Sequence, residues 1–520
     1  MSGESYEIKN KRRRKLLKNR TPVEEENVPD DTVQLIINSE EGSVDNYEVE
    51  SSSNKNDNNV VLKIALNIWT ILLCIIFITT FVISTHHDKK IDPSNVKTTL
   101  ILFSLDGFRR EYLDRKKTPT LATLAEHGVS AEYMISQFPT ETFPNHYSII
   151  TGLFPESHGI VANVFYDPIL NATFNYKDPK CAKDVDSQWY KGEPVSTIDT
   201  IYSLSEKILL SYIYIYLWVT ANKNGHKTAS LMWIGSESII SGGKPNYVVP
   251  YADMNLDEKV DSIFEWLELP AKDRPSFISV YIPDLDTMGH KTGPNSEDID
   301  RTLVEIDHMF SKFITKLEDS KLIDFIDIMV VSDHGMTNTS SDKALFVDDY
   351  LDMSKIDVYD SYPMASINPK NISDINLIYD KLVNASRIGN ETIFKVWLTN
   401  EKNGKDDSLI PERYHYKHLI NNRISPIVTV PIPPYSWTTK DHFDEHNFPK
   451  GLHGYESSLD DMKAIFIAKG PSFQKKVNFT LEPFANTELY DVMCRILKIK
   501  PAPNNSTANG RALFDKVLNI

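Results

Sequence analysis

The chain has 520 residues, of which 41% are hydrophobic, and this is enough to bury a large core in two or three domain-sized units. Its formal net charge of -16 argues against binding to duplex nucleic acid, which depends on a basic footprint. The three cysteines exclude a cysteine metal site: Cys74 lies in an apolar run, and Cys181 and Cys494 either pair in an oxidising compartment or stay free.

The first 63 residues have the composition of a disordered tail. Lys9–Arg20 is a basic block, and Thr21–Asn59 is acidic, rich in Asn, Ser and Glu, and poor in apolar residues. Such a segment buries too little apolar surface to offset the entropy of ordering its backbone. We therefore predict a disordered tail over residues 1–63.

An uncharged apolar run follows, Ile64–Ser84, and its length matches the roughly 20 residues that a helix needs to cross a bilayer. The run is too far from the N-terminus to be a signal peptide, and it lacks a small-residue cleavage site. Because the basic block precedes it, the positive-inside tendency places residues 1–63 in the cytoplasm, although Lys89 and Lys90 flank the other end. The pattern predicts a single-pass type II membrane protein, with a buried core helix as the alternative.

In this interpretation residues 85–97 are a short polar stalk, and residues 98–520 form a large domain that is extracellular or lumenal. That location agrees with the many N-x-S/T glycosylation acceptors beyond the stalk, although such triplets also arise by chance in an Asn-rich chain. The acceptors are Asn171, Asn338, Asn371, Asn384, Asn390, Asn478, Asn504 and Asn505.

Short apolar runs alternate with amphipathic helical patterns beyond the stalk. The predicted strands are Lys97–Leu105, Ser276–Ile282, Asp327–Ser332 and Lys463–Lys469, and the predicted helices are Thr118–His127, Ser296–Leu317 and Glu488–Leu497. This alternation is typical of an α/β domain whose mostly parallel central sheet has helices on both faces. We find no internal repeat.

Aspartates follow three of these strands. Asp106, Asp286 and Asp333 come just past the carboxyl ends of the first, second and third strands. In open α/β sheets ligands bind outside that edge, so we expect these residues to converge although they lie far apart in the sequence.

Histidines accompany these aspartates. His290 lies four residues after the second one, on a loop expected to bend at Gly289, and His334 directly follows the third. His453 lies between two glycines, which let the backbone approach closely. Asp and His together favour zinc or a similar divalent ion, and six ligands suit two ions with open positions for a substrate. An isolated Asp–His pair is more often a hydrogen-bonded loop pair, but the agreement with the strand ends favours metals.

The stretch Phe138–Gly159, FPTETFPNHYSIITGLFPESHG, offers an alcohol on a tight loop. Thr142 precedes a predicted helix that has Pro144 in its first turn and ends at Gly152. The unpaired N–H groups at a helix N-terminus favour phosphate binding, whereas a lone threonine there is usually only an N-cap. With two metals to clamp a phosphoryl group, we expect in-line attack by Thr142, a phospho-threonine ester and its hydrolysis by water.

Taken together, these residues make the chain resemble the nucleotide pyrophosphatase/phosphodiesterase family of the alkaline phosphatase superfamily, most of all its fungal type II membrane members. The resemblance spans about Thr98–Phe514 and implies an alkaline-phosphatase-like catalytic domain. The motifs that carry it are SLDGFR from Ser104, FPTETFPNHYSIITGLFPESHGI from Phe138, WIGSE from Trp233, DTMGHKTGP from Asp286, SDHGM from Ser332 and GLHGYE from Gly451.

The resemblance also implies roles for individual residues. It places one zinc ion on Asp106, Thr142, Asp333 and His334, and a second on Asp286, His290 and His453. Asp284 competes for the second ion by proximity, but Asp286 has the family's spacing to the histidine. Asn163 matches the residue that binds a phosphate oxygen together with the backbone N–H of the nucleophile. Phe143 and Tyr251 match the pair that sandwiches the nucleotide base, with ordinary loop packing as the alternative.

Residues 195–216 interrupt the family pattern. In the family G-E-P is followed directly by a phrase like WVTAEKNG, whereas here Gly192-Glu193-Pro194 is followed by the extra segment and only then by LWVTANKNG from Leu217. We hypothesise that the segment is an unspliced intron, because a segment that begins Val-Ser can arise from a splice donor. Its apolar end, Ile208–Tyr216, would otherwise be an unusual surface loop or an aggregation risk.

The leading hypothesis is therefore a zinc-dependent ecto-enzyme that hydrolyses phosphodiester and pyrophosphate bonds of nucleoside triphosphates and dinucleotides, releasing nucleoside 5′-monophosphates. One alternative is a phosphodiesterase that acts on choline phospholipids or other non-nucleotide diesters, against which Phe143 and Tyr251 argue. The other is a catalytically inactive, membrane-anchored binding ectodomain, against which the intact Thr142 and metal ligands argue.

Overall fold

The computed structural model describes residues 68–73, 98–183, 189, 216–239, 243–359, 362–400, 408–418, 422–473 and 479–520. The chain divides into two compact units, Met1–Asp88 and Lys89–Ile520. In the first unit residues 68–73 are helical and exposed; the predicted tail, the stalk and the remainder of the predicted membrane span lie outside the described residues. No helix in the described part of the chain is both long enough and apolar enough to span a bilayer.

The strands of the second unit are numbered along the chain. They are β1 Thr99–Leu105, β2 Val129–Ala131, β3 Met134–Ile135, β4 Val164–Asp167, β5 Ala172–Asn175, β6 Thr228–Leu231, β7 Tyr247–Val249, β8 Phe277–Ile282, β9 Ile326–Val331, β10 Thr337–Asn338, β11 Ala344–Phe346, β12 Ile356–Tyr359, β13 Ala365–Pro369, β14 Arg387–Ile388, β15 Glu391–Thr392, β16 Phe394–Leu398, β17 Ile427–Pro431, β18 Ser436–Thr438, β19 Gly451–Leu452, β20 Phe466–Lys469, β21 Phe479–Leu481 and β22 Phe484–Ala485.

The α-helices of this unit are numbered in the same way. They are α1 Pro119–Glu126, α2 Thr142–Thr151, α3 Pro155–His158, α4 Pro179–Lys183, α5 Leu217–Lys223, α6 Leu256–Leu267, α7 Asp284–Thr292, α8 Glu297–Asp319, α9 Val347–Tyr350, α10 Ile375–Ala385, α11 Glu488–Ile496 and α12 Ala508–Asp515. The predicted helices correspond to α1, α8 and α11, and the predicted strands to β1, β8, β9 and β20.

A large central sheet has the strand order β21-β2-β20-β9-β1-β8-β6-β7. The strands β9, β1, β8, β6 and β7 run parallel to one another, which confirms the predicted α/β class. The fourth predicted strand, β20, runs antiparallel to β9 and to β2. Because β9, β1 and β8 are adjacent, their carboxyl ends meet at one stretch of the sheet edge.

Side chains alternate between the two faces of this sheet, and both faces are buried. In β1, Leu100 and Leu102 join the core that includes α2, α5 and α11, whereas Ile101 and Phe103 join the core that includes α1, α6 and α8. Helix α8 begins where the hydroxyl of Ser296 accepts a hydrogen bond from the N–H of Ile299, and it buries one apolar stripe on the sheet. The sheet is therefore held rigidly from both sides, which fixes its functional edge.

A second, smaller sheet of four antiparallel strands, β12-β13-β17-β16, encloses a separate hydrophobic cluster with α10 and Trp437. Cys181 and Cys494 do not form a disulfide with each other, and both are buried. Residues 195–215 of the interrupting segment lie outside the described residues. Its last residue, Tyr216, is buried before α5 and stacks on Trp218 at 5.1 Å between ring centroids.

Candidate active site

Thr142 is the first residue of α2, one position further into the helix than the sequence predicted. The buried side chain of Asn145 holds the loop that precedes α2. Its amide nitrogen donates to the carbonyls of Pro139 and Glu141, and its amide oxygen accepts from the N–H of Gln137. These contacts hold the Thr142 hydroxyl against the sheet edge, 3.2 Å from Nε2 of His334.

The carboxyl ends of β1 and β9 supply three further groups beside this hydroxyl. Nε2 of His334 is 3.4 Å from Oδ1 of Asp106 and 3.0 Å from Oδ2 of Asp333. The other oxygen of Asp333 accepts hydrogen bonds from the N–H groups of Gly107 and His334, so that one carboxylate joins both strand ends. The three side chains are fully buried. Parallel neighbouring strands thus produce the predicted convergence of Asp106 and Asp333.

A second group lies on α7 and on the loop after β19. Oδ2 of Asp286 is 3.4 Å from Nε2 of His290, and its Oδ1 is 3.4 Å from Nε2 of His453. The expected loop around Gly289 is wrong: Asp286 and His290 are on a helix, four residues apart on one face. The expected close backbone approach at Gly451 is present, since a Cβ there would be 2.6 Å from the carbonyl oxygen of Gly289.

The imidazole rings of both groups share one orientation. Nδ1 of His334 faces the carbonyl of Gly335 at 2.9 Å, and Nδ1 of His290 faces the carbonyl of Gly451 at 2.8 Å. Nδ1 of His453 likewise faces the carbonyl of Thr140 at 3.0 Å. A carbonyl only accepts, so each Nδ1 carries a hydrogen and each Nε2 faces the centre of the site. This is how ligating histidines are held in metal sites.

The residues present fit divalent cations. Asp106, Asp286 and His334 place ligand atoms within 4.8 Å of one another, and so do Asp286, His290 and His453. One oxygen each of Asp106, Asp286 and Asp333 is buried and accepts no hydrogen bond from the protein. Buried carboxylate oxygens without donors are costly unless a cation pairs with them. Asp and His donors with open positions suit zinc or a similar ion.

The pKa values of the site residues are shifted because several ionisable groups lie close together in a buried place. Burial, and then repulsion from Asp333 and Asp286, raises the pKa of Asp106 well above its usual value. Burial also opposes ionisation of Asp286, but the neighbouring His290, His453 and His334 outweigh it and lower its pKa to about 2. Burial lowers the pKa of His453 to about 3, which keeps its Nε2 lone pair available. These opposing shifts mark a site built for a positive charge at its centre.

The geometry also separates the two aspartates that competed for the second group. Asp284 is the first residue of α7, and its carboxylate lies 3.7 Å from Nζ of Lys259. Asp286 faces the two histidines instead. The spacing of the acidic residue to His290 on the helix therefore decides which one reaches the centre.

A cleft of about 610 Å³ opens over these groups, and it is lined by Thr142, Asn163, Phe143 and Tyr251 among others. Oδ1 of Asn163 accepts a hydrogen bond of 3.0 Å from the N–H of Phe143. The Phe143 ring is buried against Phe174, whereas Tyr251 is 58% exposed. The structure thus brings every residue of the predicted site to one cleft or directly beneath it.

Sequence reasoning missed three residues of this site. The hydroxyl of Tyr281 donates to Asp106, the carboxylate of Glu141 accepts from the N–H of Asn163 at 2.6 Å, and His146 is buried behind Thr142. Glu141 and His146 flank Thr142 in the same motif, and Tyr281 is the penultimate residue of β8. For Glu141 and His146 the one available signal was closeness to Thr142 in the sequence, since none of the three residues follows a strand as the candidate ligands do.

Comparison with known proteins identifies the class. The profile of the family described as type I phosphodiesterase / nucleotide pyrophosphatase matches residues 100–456. The chain therefore belongs to this family, whose members are hydrolases of phosphodiester and pyrophosphate bonds.

Individual relatives agree with this assignment. An uncharacterised pyrophosphatase/phosphodiesterase of Schizosaccharomyces pombe is 37% identical over 80% of this chain and 80% of its own length. Ectonucleotide pyrophosphatase/phosphodiesterase family member 3 of Rattus norvegicus is 33% identical over 78% of this chain, which spans 43% of that protein. Murine ectonucleotide pyrophosphatase/phosphodiesterase 5, solved as an inactive threonine-to-alanine variant in complex with AMP, superposes with a TM-score of 0.68, 31% identity, and coverage of 81% of this chain and all of that one.

Proposed function

We propose that this protein is a zinc-dependent ectonucleotide pyrophosphatase/phosphodiesterase that cleaves nucleotides to nucleoside 5′-monophosphates through a phospho-threonine intermediate. The observation that carries the proposal is the Thr142 hydroxyl, which lies 3.2 Å from Nε2 of His334 in a cleft that residues of both Asp–His groups also line. Family membership and the AMP complex of the murine relative support the nucleotide as substrate.

In the proposed reaction the Thr142 oxygen attacks the phosphorus atom that bears the nucleoside, the hydroxyl proton passes to solvent, and the bond from phosphorus to the other leaving oxygen breaks, so that the nucleoside 5′-phosphoryl group stays on Thr142. Water then cleaves the phospho-threonine ester, which restores the hydroxyl and releases the 5′-monophosphate. Two zinc ions, one on Asp106, Thr142, Asp333 and His334 and one on Asp286, His290 and His453, would favour the ionised alcohol and offset the charge on the phosphoryl oxygens. The start of α2 adds backbone N–H groups and the positive end of its dipole.

Substrate contacts are assigned from the lining of the cleft. Asn163 is anchored at its backbone by Glu141 and at its side chain by the N–H of Phe143, so its amide is placed to bind a phosphoryl oxygen. Phe143 and Tyr251 both line the cleft, and their rings would hold the base between them. The positions of these rings favour a nucleotide over a choline phospholipid.

The proposed location is outside the cytoplasm, with the Ile64–Ser84 run as a type II membrane anchor. The relatives named ectonucleotide enzymes support this placement. The acceptors Asn171, Asn338, Asn371, Asn384 and Asn390 are exposed and would carry the glycans, whereas Asn504 and Asn505 are half-buried.

Replacement of Thr142 tests the chemistry. Thr142→Ala removes the nucleophile and should lower kcat on the p-nitrophenyl ester of thymidine monophosphate by about 10³-fold or more, and no thymidylyl group should be trapped on the protein, as seen by intact mass. Thr142→Ser keeps a hydroxyl and is the matched control, with measurable turnover and a trapped thymidylyl-enzyme. Undiminished hydrolysis in Thr142→Ala would remove the proposed nucleophile.

The substrate class is tested on the wild-type enzyme. We expect the thymidine ester and ATP to be cleaved with higher kcat/KM than p-nitrophenyl phosphate or a lysophosphatidylcholine. A higher kcat/KM for the choline lipid would instead support the alternative, a phosphodiesterase that acts on choline phospholipids. Binding of nucleotides by zinc-loaded protein without any turnover would make it a binding ectodomain.

A further inference from the structure

We propose that His146 is a positioning residue, which holds the Thr142 backbone and the Asp333 carboxylate in the geometry that the reaction needs. The expected effect on kcat rests on the proposed function. His146 belongs neither to the Asp–His groups nor to the lining of the cleft, and its ring is fully buried one helical turn after Thr142.

Three contacts of the His146 ring carry the proposal. Nδ1 lies 2.8 Å from the carbonyl oxygen of Thr142 and 3.4 Å from Oδ2 of Asp333. Nε2 lies 2.9 Å from the hydroxyl of Ser104. A carbonyl and a carboxylate are both acceptors, so Nδ1 carries the hydrogen; Nε2 then accepts from the Ser104 hydroxyl, which fixes the tautomer.

These contacts join the separate parts of the chain that build one half of the site. Ser104 lies in β1 two residues before Asp106, Thr142 opens α2, and Asp333 follows β9. Oδ1 of Asp333 is already held by the N–H groups of Gly107 and His334, and Nδ1 of His146 lies 3.4 Å from its second oxygen without a hydrogen bond to it. The His146 ring therefore hydrogen-bonds the nucleophile segment and packs directly behind a carboxylate of the proposed zinc site, where outer partners of metal ligands lie.

The competing explanation is packing alone. The His146 ring makes edge contacts with Trp233 and Tyr281, each at 5.0 Å between centroids, and any side chain of similar volume would satisfy that role. Two substitutions separate the explanations. An asparagine amide nitrogen is two bonds from Cβ, as Nδ1 is, whereas the glutamine amide is three bonds from Cβ, as Nε2 is.

The test compares His146→Asn with His146→Gln in the full chain. We expect the glutamine variant, which loses the Nδ1–H contacts, to show kcat lowered by about 10- to 100-fold, with KM for the thymidine ester changed less than about threefold. We expect zinc, titrated with a competing chelator, to bind it about 10- to 100-fold more weakly than wild type. The asparagine variant should stay within about threefold of wild type in both measurements.

His158 supplies the matched control. It is also a buried histidine of this motif, and its Nε2 pairs with the hydroxyl of Ser148 at 3.1 Å, but it contacts neither Thr142 nor Asp333. His158→Gln should lower the melting temperature without changing kcat or zinc affinity by more than about twofold. If either His146 variant fails to fold, Ser104→Ala is used instead. It removes the hydroxyl that fixes the tautomer, so that part of the protein loses the Nδ1–H donor that an asparagine amide would keep, and kcat and zinc affinity should fall by about 3- to 10-fold.

The proposal is overturned if the glutamine variant matches the asparagine variant in kcat and zinc affinity, or if His158→Gln loses both to the same extent. It is also overturned if Ser104→Ala leaves both measurements unchanged where the His146 variants do not fold. A wild-type protein that binds zinc but hydrolyses no nucleotide would refute the proposed function, and the zinc titration would still decide the role of His146.

Discussion

At the scale of single residues, several side chains of the site use one polar atom for a hydrogen bond to the protein and turn the other towards the centre. The histidines use Nδ1 on backbone carbonyls, Asp333 uses one oxygen on two N–H groups, and Asp106 uses one oxygen on the Tyr281 hydroxyl. What remains is a cluster of lone pairs that face one another. This arrangement is unfavourable for the protein alone and is stabilised by cations.

Asp286 and Asp284 offer a matched pair for testing the second group, because they lie two residues apart on α7 with different surroundings. Asp286→Asn removes the carboxylate that faces His290 and His453, so kcat/KM should fall by about 100-fold or more and zinc content should decrease. Asp284→Asn should change kcat/KM by less than about threefold, since its carboxylate faces Lys259. Equal losses in the two variants, measured by kinetics and metal analysis, would contradict the assignment.

At the scale of elements, the short helix α3 is tied to the segment around residue 415 by a buried carboxylate. Oε2 of Glu156 accepts a hydrogen bond of 2.8 Å from the N–H of Lys417, and the ring of His415 stacks on Phe154 at 3.8 Å. Burial raises the pKa of Glu156 to about 7, although the N–H and charge of Lys417 act in the opposite direction. This contact connects the motif of Thr142 with the chain segment that leads to the smaller sheet.

The raised pKa makes a prediction about stability. The unfolded chain releases the Glu156 proton near its ordinary pKa of about 4.3 and the folded chain near 7, so this group lowers the free energy of unfolding as pH rises between those values. Glu156→Gln should therefore gain stability relative to wild type by about 1–3 kcal/mol between pH 5 and pH 7.5, measured by urea unfolding. Glu265→Gln, exposed on α6, is the control, and its difference from wild type should not change with pH. A pH-independent difference for Glu156→Gln would refute the prediction.

At the scale of the whole molecule, every residue assigned to the site belongs to the second compact unit, Lys89–Ile520. The Ile64–Ser84 run, which has the composition of a membrane anchor, belongs to the first unit. Catalysis and attachment are therefore separable properties of the proposed enzyme.

Removal of residues 1–97 tests this separation. The shortened chain, secreted from a host cell, should keep kcat/KM for the thymidine ester within about threefold of the full chain, because every residue assigned to the site lies beyond residue 97. The full chain should stay in the membrane fraction after an alkaline carbonate wash, whereas the shortened chain should be soluble. Release of the full chain by carbonate would argue against a membrane-spanning anchor, and loss of activity on truncation would argue against separate units.

The amino-acid sequence by itself determined the α/β class, the main strands and helices, and the identity of the candidate ligands. It could do so because apolar periodicity marks buried strands and because aspartates directly follow the strands β1 and β9. Asp286 and His290 were identified with the wrong local structure, since a short polar segment with a glycine has no clear helical periodicity.

Only the tertiary structure decided the remaining features. It showed why Asp286 rather than Asp284 reaches the histidines, made β20 antiparallel to β9, and placed His146 between Ser104, Thr142 and Asp333. These outcomes depend on which segments of the chain meet in the fold, and such contacts leave no periodic trace in the sequence. The residue types of the site can thus be read from short stretches of sequence, whereas their partners and orientations depend on how the strands and helices assemble at the sheet edge.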